Sequence, residues 1–294
     1  MATNKPLAFN DDSILYFDVW KRPVFFAGNL CSESTKYYED RSHKHIVRLV
    51  NKEPTSLGIV GTGYHVVHNK EICESIEDTF METLTDEQLE GVIRRDSTSY
   101  NGGTCVREYI FKNITADIGS GRSTVGFRVI VVNGYDGSSS FKFYHGAIDF
   151  FCTNGMVTGS YNMTVKRHTS GFSIPNLTNK LTESINTFYK EAEQWRHWVG
   201  KDISDEDAEI CYKAMPSASK STINKLMNQF RIECDSHGRT MWALYSAATY
   251  YASHNEGLFT IKETGNDNVA STLLGRGKQV KGWIATEEFN QLAA

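Results

Sequence analysis

His43-x-His45 and His65-x-x-His68 are the closely spaced histidine pairs of this sequence, and Cys73 is the soft ligand nearest the second. Zinc needs three or four converging ligands, and each stretch offers two at a time, so surface and capping roles are expected and no metal centre. Cys152 lies inside the apolar run Phe150-Phe-Cys, where a thiol is buried and inert. Asp136 falls in a turn, where a carboxylate bonds its own backbone, and Asp149 stands alone on its segment, so no acid pair for a nuclease is visible. Gly58, Gly61 and Gly63 lack both the third glycine of the dinucleotide fingerprint and a Gly-Lys-Ser/Thr. A strand and turn is the expectation there. With no nucleophile elbow or kinase set either, an enzyme ranks below a binding protein, and no cofactor is expected.

The residue types that do form a pattern are cations and tyrosines on adjacent strands. Arg94, Arg95, Tyr100, Arg107 and Tyr109 fall on one predicted hairpin. Arg128, Lys142 and Tyr144 fall on the next strands, and Lys166 and Arg167 just beyond. Arginines pair with phosphates, and tyrosine faces stack unpaired bases for ~1–3 kcal/mol each. Together these ten residues predict a track for single-stranded DNA. Ordinary charged positions on a solvent-facing sheet explain the same residues equally well. The track requires Arg94, Arg107, Lys142 and Lys166 to share one side and to escape neighbouring carboxylates.

The elements that must position them are legible. Val125 to Val132 is apolar on both faces and reads as a central strand. Asn133 to Ser140 is a turn; short strands Phe141 to Tyr144 and Ala147 to Cys152 follow, separated at Gly146. Asn101-Gly-Gly103 predicts the hairpin joining Val92–Tyr100 to Thr104–Lys112. Asn69 is expected to cap a helix carrying Ile72, Ile76 and Phe80, and Thr85-Asp-Glu-Gln88 reads as a capping box. After Pro175 the chain turns helical. Leu177, Leu181, Ile185, Phe188, Ala192, Trp195 and Val199 form a seam that packs on the sheet or on another subunit. Ile14–Trp20 and Val24–Phe26 read as edge strands or as an aromatic arm that docks on something apolar.

The expected fold is therefore α+β, an antiparallel sheet of hairpins over about 90–152 with a mainly helical C-terminal third. Four parts are expected: an N-terminal arm (1–55), a sheet core (56–172), a helical part packed on it (173–255) and a tail (256–294). A chain of 294 residues with 40% hydrophobic and 12% aromatic residues can bury a core. The net charge of −4 argues against a basic coat, though a local groove is allowed. Scattered cysteines and the lack of a long apolar run predict a cytoplasmic protein without a membrane span.

Asn133-x-x-Asp136-Gly137-Ser138-Ser139, then Gly146, then Phe151-Cys152-x-Asn154-Gly155 resembles a phage and plasmid family labelled domain of unknown function 932, from about Leu57 to about His254. The resemblance implies a phage or mobile-element context beside single-strand-binding and anti-restriction genes. The layout is also similar in outline to the sheet-and-helix core of phage single-strand annealing proteins, which form rings or filaments. The leading expectation is a single-stranded DNA-binding or annealing protein acting as a homo-oligomer. A counter-defence protein that inhibits a host anti-phage complex by protein contact is the alternative, favoured by the mild acidity and the aromatic arm. It takes first place if the cationic track fails. A metal-dependent enzyme ranks third.

Overall fold

A computed structural model describes residues 13–28, 36–119, 124–150, 155–156, 163–174, 177–254 and 267–294. Its described residues build an α+β fold of two antiparallel sheets and eight helices. The first sheet is three-stranded, in the order β1 (Trp20–Ala27), β2 (Tyr37–Val50) and β3 (Glu53–Gly61). The second contains β4 (Ile93–Ser99), β5 (Thr104–Asp117), β6 (Thr124–Gly134) and β7 (Phe141–Asp149) side by side. The short β8 (Gly155–Met156) and β9 (Thr164–Lys166) both pair with β7.

Helices α1 (Asn69–Thr83) and α2 (Asp86–Leu89) lie between the sheets in sequence. The others are α3 (Thr178–Val199), α4 (Asp205–Lys213), α5 (Lys220–His237), α6 (Met241–Ser253), α7 (Val269–Ile284) and α8 (Glu287–Ala293). The Thr85 box forms as the sequence predicts, with reciprocal bonds between Thr85 and Gln88 of 3.0 and 3.3 Å. Ser204, Ser219, Thr240 and Thr286 cap α4, α5, α6 and α8 through their hydroxyls. Gly238, at φ +71, ends α5 in a backbone conformation that a side chain would strain.

The expected break at Gly146 does not occur: β7 runs unbroken, with Gly146 opposite Arg128. Phe151, Cys152 and Asn154 lie outside the described residues. Asn69 is no cap either. His68 occupies that position without a side-chain bond, and the Asn69 amide turns into the core.

The main core lies on one face of the β4–β7 sheet. Ile72, Ile76 and Phe80 of α1 and Leu181, Phe188, Ala192 and Trp195 of α3 cover Tyr109, Phe111, Phe127, Val129 and Val131. Phe80 meets Tyr109 and Phe111 edge-on at 5.0 and 5.2 Å, and Phe188 meets Phe127 at 5.7 Å. The α3 seam thus packs on its own sheet and on α6, where Trp195 approaches Trp242 to 6.3 Å; Ile185 sits at its half-buried margin. On the opposite face α7 lays Ala270 and Leu274 against Val106, Ile130 and Val132. The residues after 267 are therefore part of the packed body, with Val280, Trp283 and Phe289 buried.

Candidate functional site

Cross-strand register decides where each of the ten expected DNA-contacting residues points. Arg94, Tyr109, Val129 and His145 stand opposite one another, as do Asp96, Arg107, Val131 and Phe143. Both rows face α1 and α3. Arg95, Glu108, Ile130 and Tyr144 form a row on the other face, flanked by Arg128 in one neighbouring row and Lys142 in the other. The expected track is divided by the sheet itself. Adjacent strand residues point to opposite faces, so Arg94 and Arg95 were never able to line one groove. That parity is readable from the sequence.

Arg107 is corrected most sharply. Its side chain is 1% exposed, and its guanidinium donates to both Asp96 carboxylate oxygens at 2.8 and 2.9 Å. It also donates to the Tyr16 hydroxyl at 2.7 Å and to Ser13 Oγ at 2.8 Å, with Glu77 at 3.5 Å. Burial opposes its charge, but the hydrogen bonds to Asp96 outweigh it and keep it protonated. Asp96 reciprocates: burial pushes its pKa up, and the bonds from Arg107 and Ser13 hold it below the usual carboxylate range. Glu77 is pushed up by burial, against its bond from the Tyr109 hydroxyl at 2.7 Å. This cluster anchors the segment before β1 to the main sheet and leaves Arg107 no freedom to hold phosphate.

The remaining nine scatter. Tyr109 is fully buried under Phe80. Arg128 is buried and pairs with Glu108 across the strand. Arg94 stands over the Tyr16 ring at 6.0 Å. Tyr100 is exposed at the hairpin turn, where Tyr100 and Asn101 both take positive φ. Lys166 and Arg167 are exposed at the end of the edge strand β9. Arg95, Lys142 and Tyr144 do share a face, and α7 on that face carries Arg276, Lys278 and Lys281 without an acidic residue. Arg95 and Tyr144 are three strands apart, roughly 14 Å.

Asn133 and Asp136 of the signature hold the architecture together. Asn133 Nδ2 donates to Val67 O at 3.1 Å and to Asn69 Oδ1 at 2.8 Å, while Asn69 Nδ2 donates to Leu15 O at 3.0 Å. The Tyr135 hydroxyl accepts from Asn69 N at 2.9 Å. One buried amide pair therefore joins three chain segments. Asp136 bonds Ser138 N and Oγ at 2.8 Å, as a turn carboxylate should. Gly58 is small because that turn lies against it: a Cβ there would stand 2.8 Å from the Asp136 backbone.

No group of three His, Cys, Asp or Glu residues converges as metal ligands among the described residues. His43 pairs with Asp40 at 2.8 Å and His45 with Ser56 Oγ at 2.6 Å, and burial pushes the Cys73 thiol up to about 11.

The surface the sequence pointed to only loosely is the arm. Beyond the register shift at Pro23/Val24, β1 and β2 continue as a two-stranded ribbon pairing Phe26 with Tyr38 and Ala27 with Tyr37. Phe26 and Tyr38 stack at 6.0 Å on one side. Phe25 and Tyr37 fall on the other by the strand alternation. Phe25, Phe26, Tyr37 and Tyr38 are 58, 55, 70 and 51% exposed. A second exposed surface runs along α1, where Glu71, Glu74, Asp78 and Glu82 are all exposed. Their spacing of three, four and four places them in one stripe. Asp86, Glu87 and Glu90 extend it.

A model of the family described as Domain of unknown function (DUF932) matches residues 56–274. No curated protein and no solved structure matches the chain. The arm, up to Thr55, precedes the matched residues, whereas Asn133, Asp136 and Gly58 fall within them.

Proposed function

This chain belongs to the DUF932 family, whose description carries no activity, and from that premise we propose that it works by protein contact, as a phage counter-defence protein that docks its β1–β2 arm on a host anti-phage complex. The observation that carries this is the arm's four aromatic rings, more than half exposed and set on both sides of one ribbon. A two-stranded ribbon is marginally stable alone, and contiguous exposed rings mark interaction surfaces. Phenylalanine and tyrosine lose only two side-chain torsions on docking, which suits them to the centre of an interface. Glu39 and Asp40 sit among the rings and pair with Lys44 and His43. The phage and anti-restriction context implied by the family resemblance supplies the host side of the reading.

The test is binding of purified host anti-phage complexes to the immobilised full chain, beside its Phe25→Ser/Tyr37→Ser variant. One complex should bind the parent and bind the variant at least tenfold more weakly. If no complex binds while an unstructured oligonucleotide is retained, the proposal fails.

A second reading keeps single-stranded DNA as partner of a homo-oligomer. It rests on Arg95, Lys142 and Tyr144 sharing a face with the cations of α7. Fluorescence anisotropy with such an oligonucleotide should then show affinity that falls steeply with salt and is reduced by Arg95→Ala/Lys142→Ala. Affinity indifferent to salt would exclude it.

A further inference from the structure

The arm and the α1–α2 stripe carry opposite charge. On β1 and β2 and just before β2, Lys21, Arg22, Lys36 and Arg41 are exposed. Lys21 donates to a backbone carbonyl, that of Tyr64, and the carboxylates of the ribbon, Glu39 and Asp40, are engaged by Lys44 and His43. Over the two strands five cations (Lys21, Arg22, Arg41, Lys44, Arg48) stand against two carboxylates (Glu39, Asp40), a surplus of three. The whole chain carries a net −4. The rest of the molecule is therefore distinctly acidic.

Much of that acidity is on α1 and α2. From Asn69 to Glu90 the only cation is Lys70, 3.9 Å from Glu74. The exposed carboxylates number seven: four in the α1 stripe and Asp86, Glu87 and Glu90 beyond it. Like charges this close raise the energy of the free surface, and an apposed cationic surface lowers it. At the N-terminal end of the stripe lies an open cleft of about 530 Å³, bounded by Tyr16, Phe17, Asp18, His68, Glu71 and Glu74, with Lys70 at its edge. Its walls combine rings with carboxylates, the chemistry that accepts an aromatic side chain flanked by a cation.

We infer that the arm of one copy docks on the α1–α2 face of a second copy. The cations along the arm meet the carboxylate stripe, and one of its exposed rings enters the Tyr16–Phe17 cleft. This rests on the arm being a protein-docking element and names the partner it takes when no host complex is present. Each copy carries one donor and one acceptor surface, so reciprocal exchange of arms closes a two-fold dimer and one-way docking propagates head to tail. One-way docking closes as a ring or runs on as a filament.

Sedimentation velocity and multi-angle light scattering of the full chain provide the test. The parent should be oligomeric at low salt, and its apparent dissociation constant should rise at least tenfold between 50 and 500 mM salt, since exposed ion pairs are screened over this range. Two charge-reversed variants, Glu71→Lys/Glu74→Lys/Asp78→Lys and Arg22→Glu/Lys36→Glu/Arg41→Glu, should each be monomeric. Mixed together they should associate again, because each then supplies the surface the other lacks. That recovery excludes misfolding as the cause of dissociation.

A parent that is monomeric at all salt concentrations would overturn the inference. So would association that survives either charge reversal, or that ignores salt. The stripe variant keeps an unaltered arm, so its binding to a host complex reports on the proposed function independently of self-association.

Discussion

Replacing Arg107 by alanine separates the two roles this residue has been given. As a phosphate contact, its loss would cost affinity and little stability. The structure makes it instead the cation at the centre of a closed cluster: Asp96 takes two of its hydrogen bonds, Tyr16 and Ser13 one each, and Glu77 lies at 3.5 Å. The side chains of Asp96 and Glu77 are only 12 and 15% exposed, so removing the guanidinium strands two carboxylates away from water. Breaking a buried pair from one side costs about 3–5 kcal/mol. Asp96 keeps the Ser13 hydroxyl and Glu77 the Tyr109 hydroxyl, which places the expected loss near the lower end, about 3 kcal/mol. Urea unfolding followed by circular dichroism measures it directly. The double variant Arg107→Met/Asp96→Leu should recover most of the loss, since replacing both partners leaves fewer orphan charges. A single variant within about 1 kcal/mol of the parent that has also lost oligonucleotide binding would refute the reasoning and return Arg107 to the nucleic-acid surface.

Three further outcomes are expected. His168 lies between the Tyr64 and Phe172 rings, and burial, aided by His65, lowers its pKa from 6.5 to about 4. The unfolded chain therefore binds the extra proton first, and stability falls as pH drops from about 6.5 towards 4. After allowance for partial solvent screening the loss is about 2 kcal/mol, and thermal melts of His168→Phe should lack this slope. Asn133→Ala should cost about 2–3 kcal/mol in urea, because Val67 O and Asn69 Oδ1 both lose their donor. Gly58→Ala should lower the melting temperature through a clash worth about 1–3 kcal/mol, as its Cβ meets unyielding Asp136 backbone; a neutral result would show that the turn can retreat.

Much of the fold was legible. The β-branched run of β6, the glycine-rich turns and the apolar spacing of α1 and α3 each reflect local rules that act within a few residues. Thr85 and Gln88 found each other because a capping box is a local device. Asn69 misled for the converse reason. Its position before an apolar stripe is that of a cap, but the buried partners that claim its amide, Asn133 and Leu15, lie more than fifty residues away. Gly146 looked like a strand break because glycine is a poor strand former, yet pairing with β6 on one side held the strand straight. The exposed arm was visible only as aromatic segments, since no local pattern distinguishes a ring that will be covered from one that will project.

Residue types and their short-range spacing determined that this protein would be an α+β body with hairpins first and helices after, because turns, caps and amphipathic stripes are set by neighbours in the chain. Only the tertiary structure decided which charges remain available. Asp96, Glu77 and Glu108 reach the arginines through register and helix packing, and a charge neutralised by a partner distant in sequence looks, in one dimension, the same as a free one.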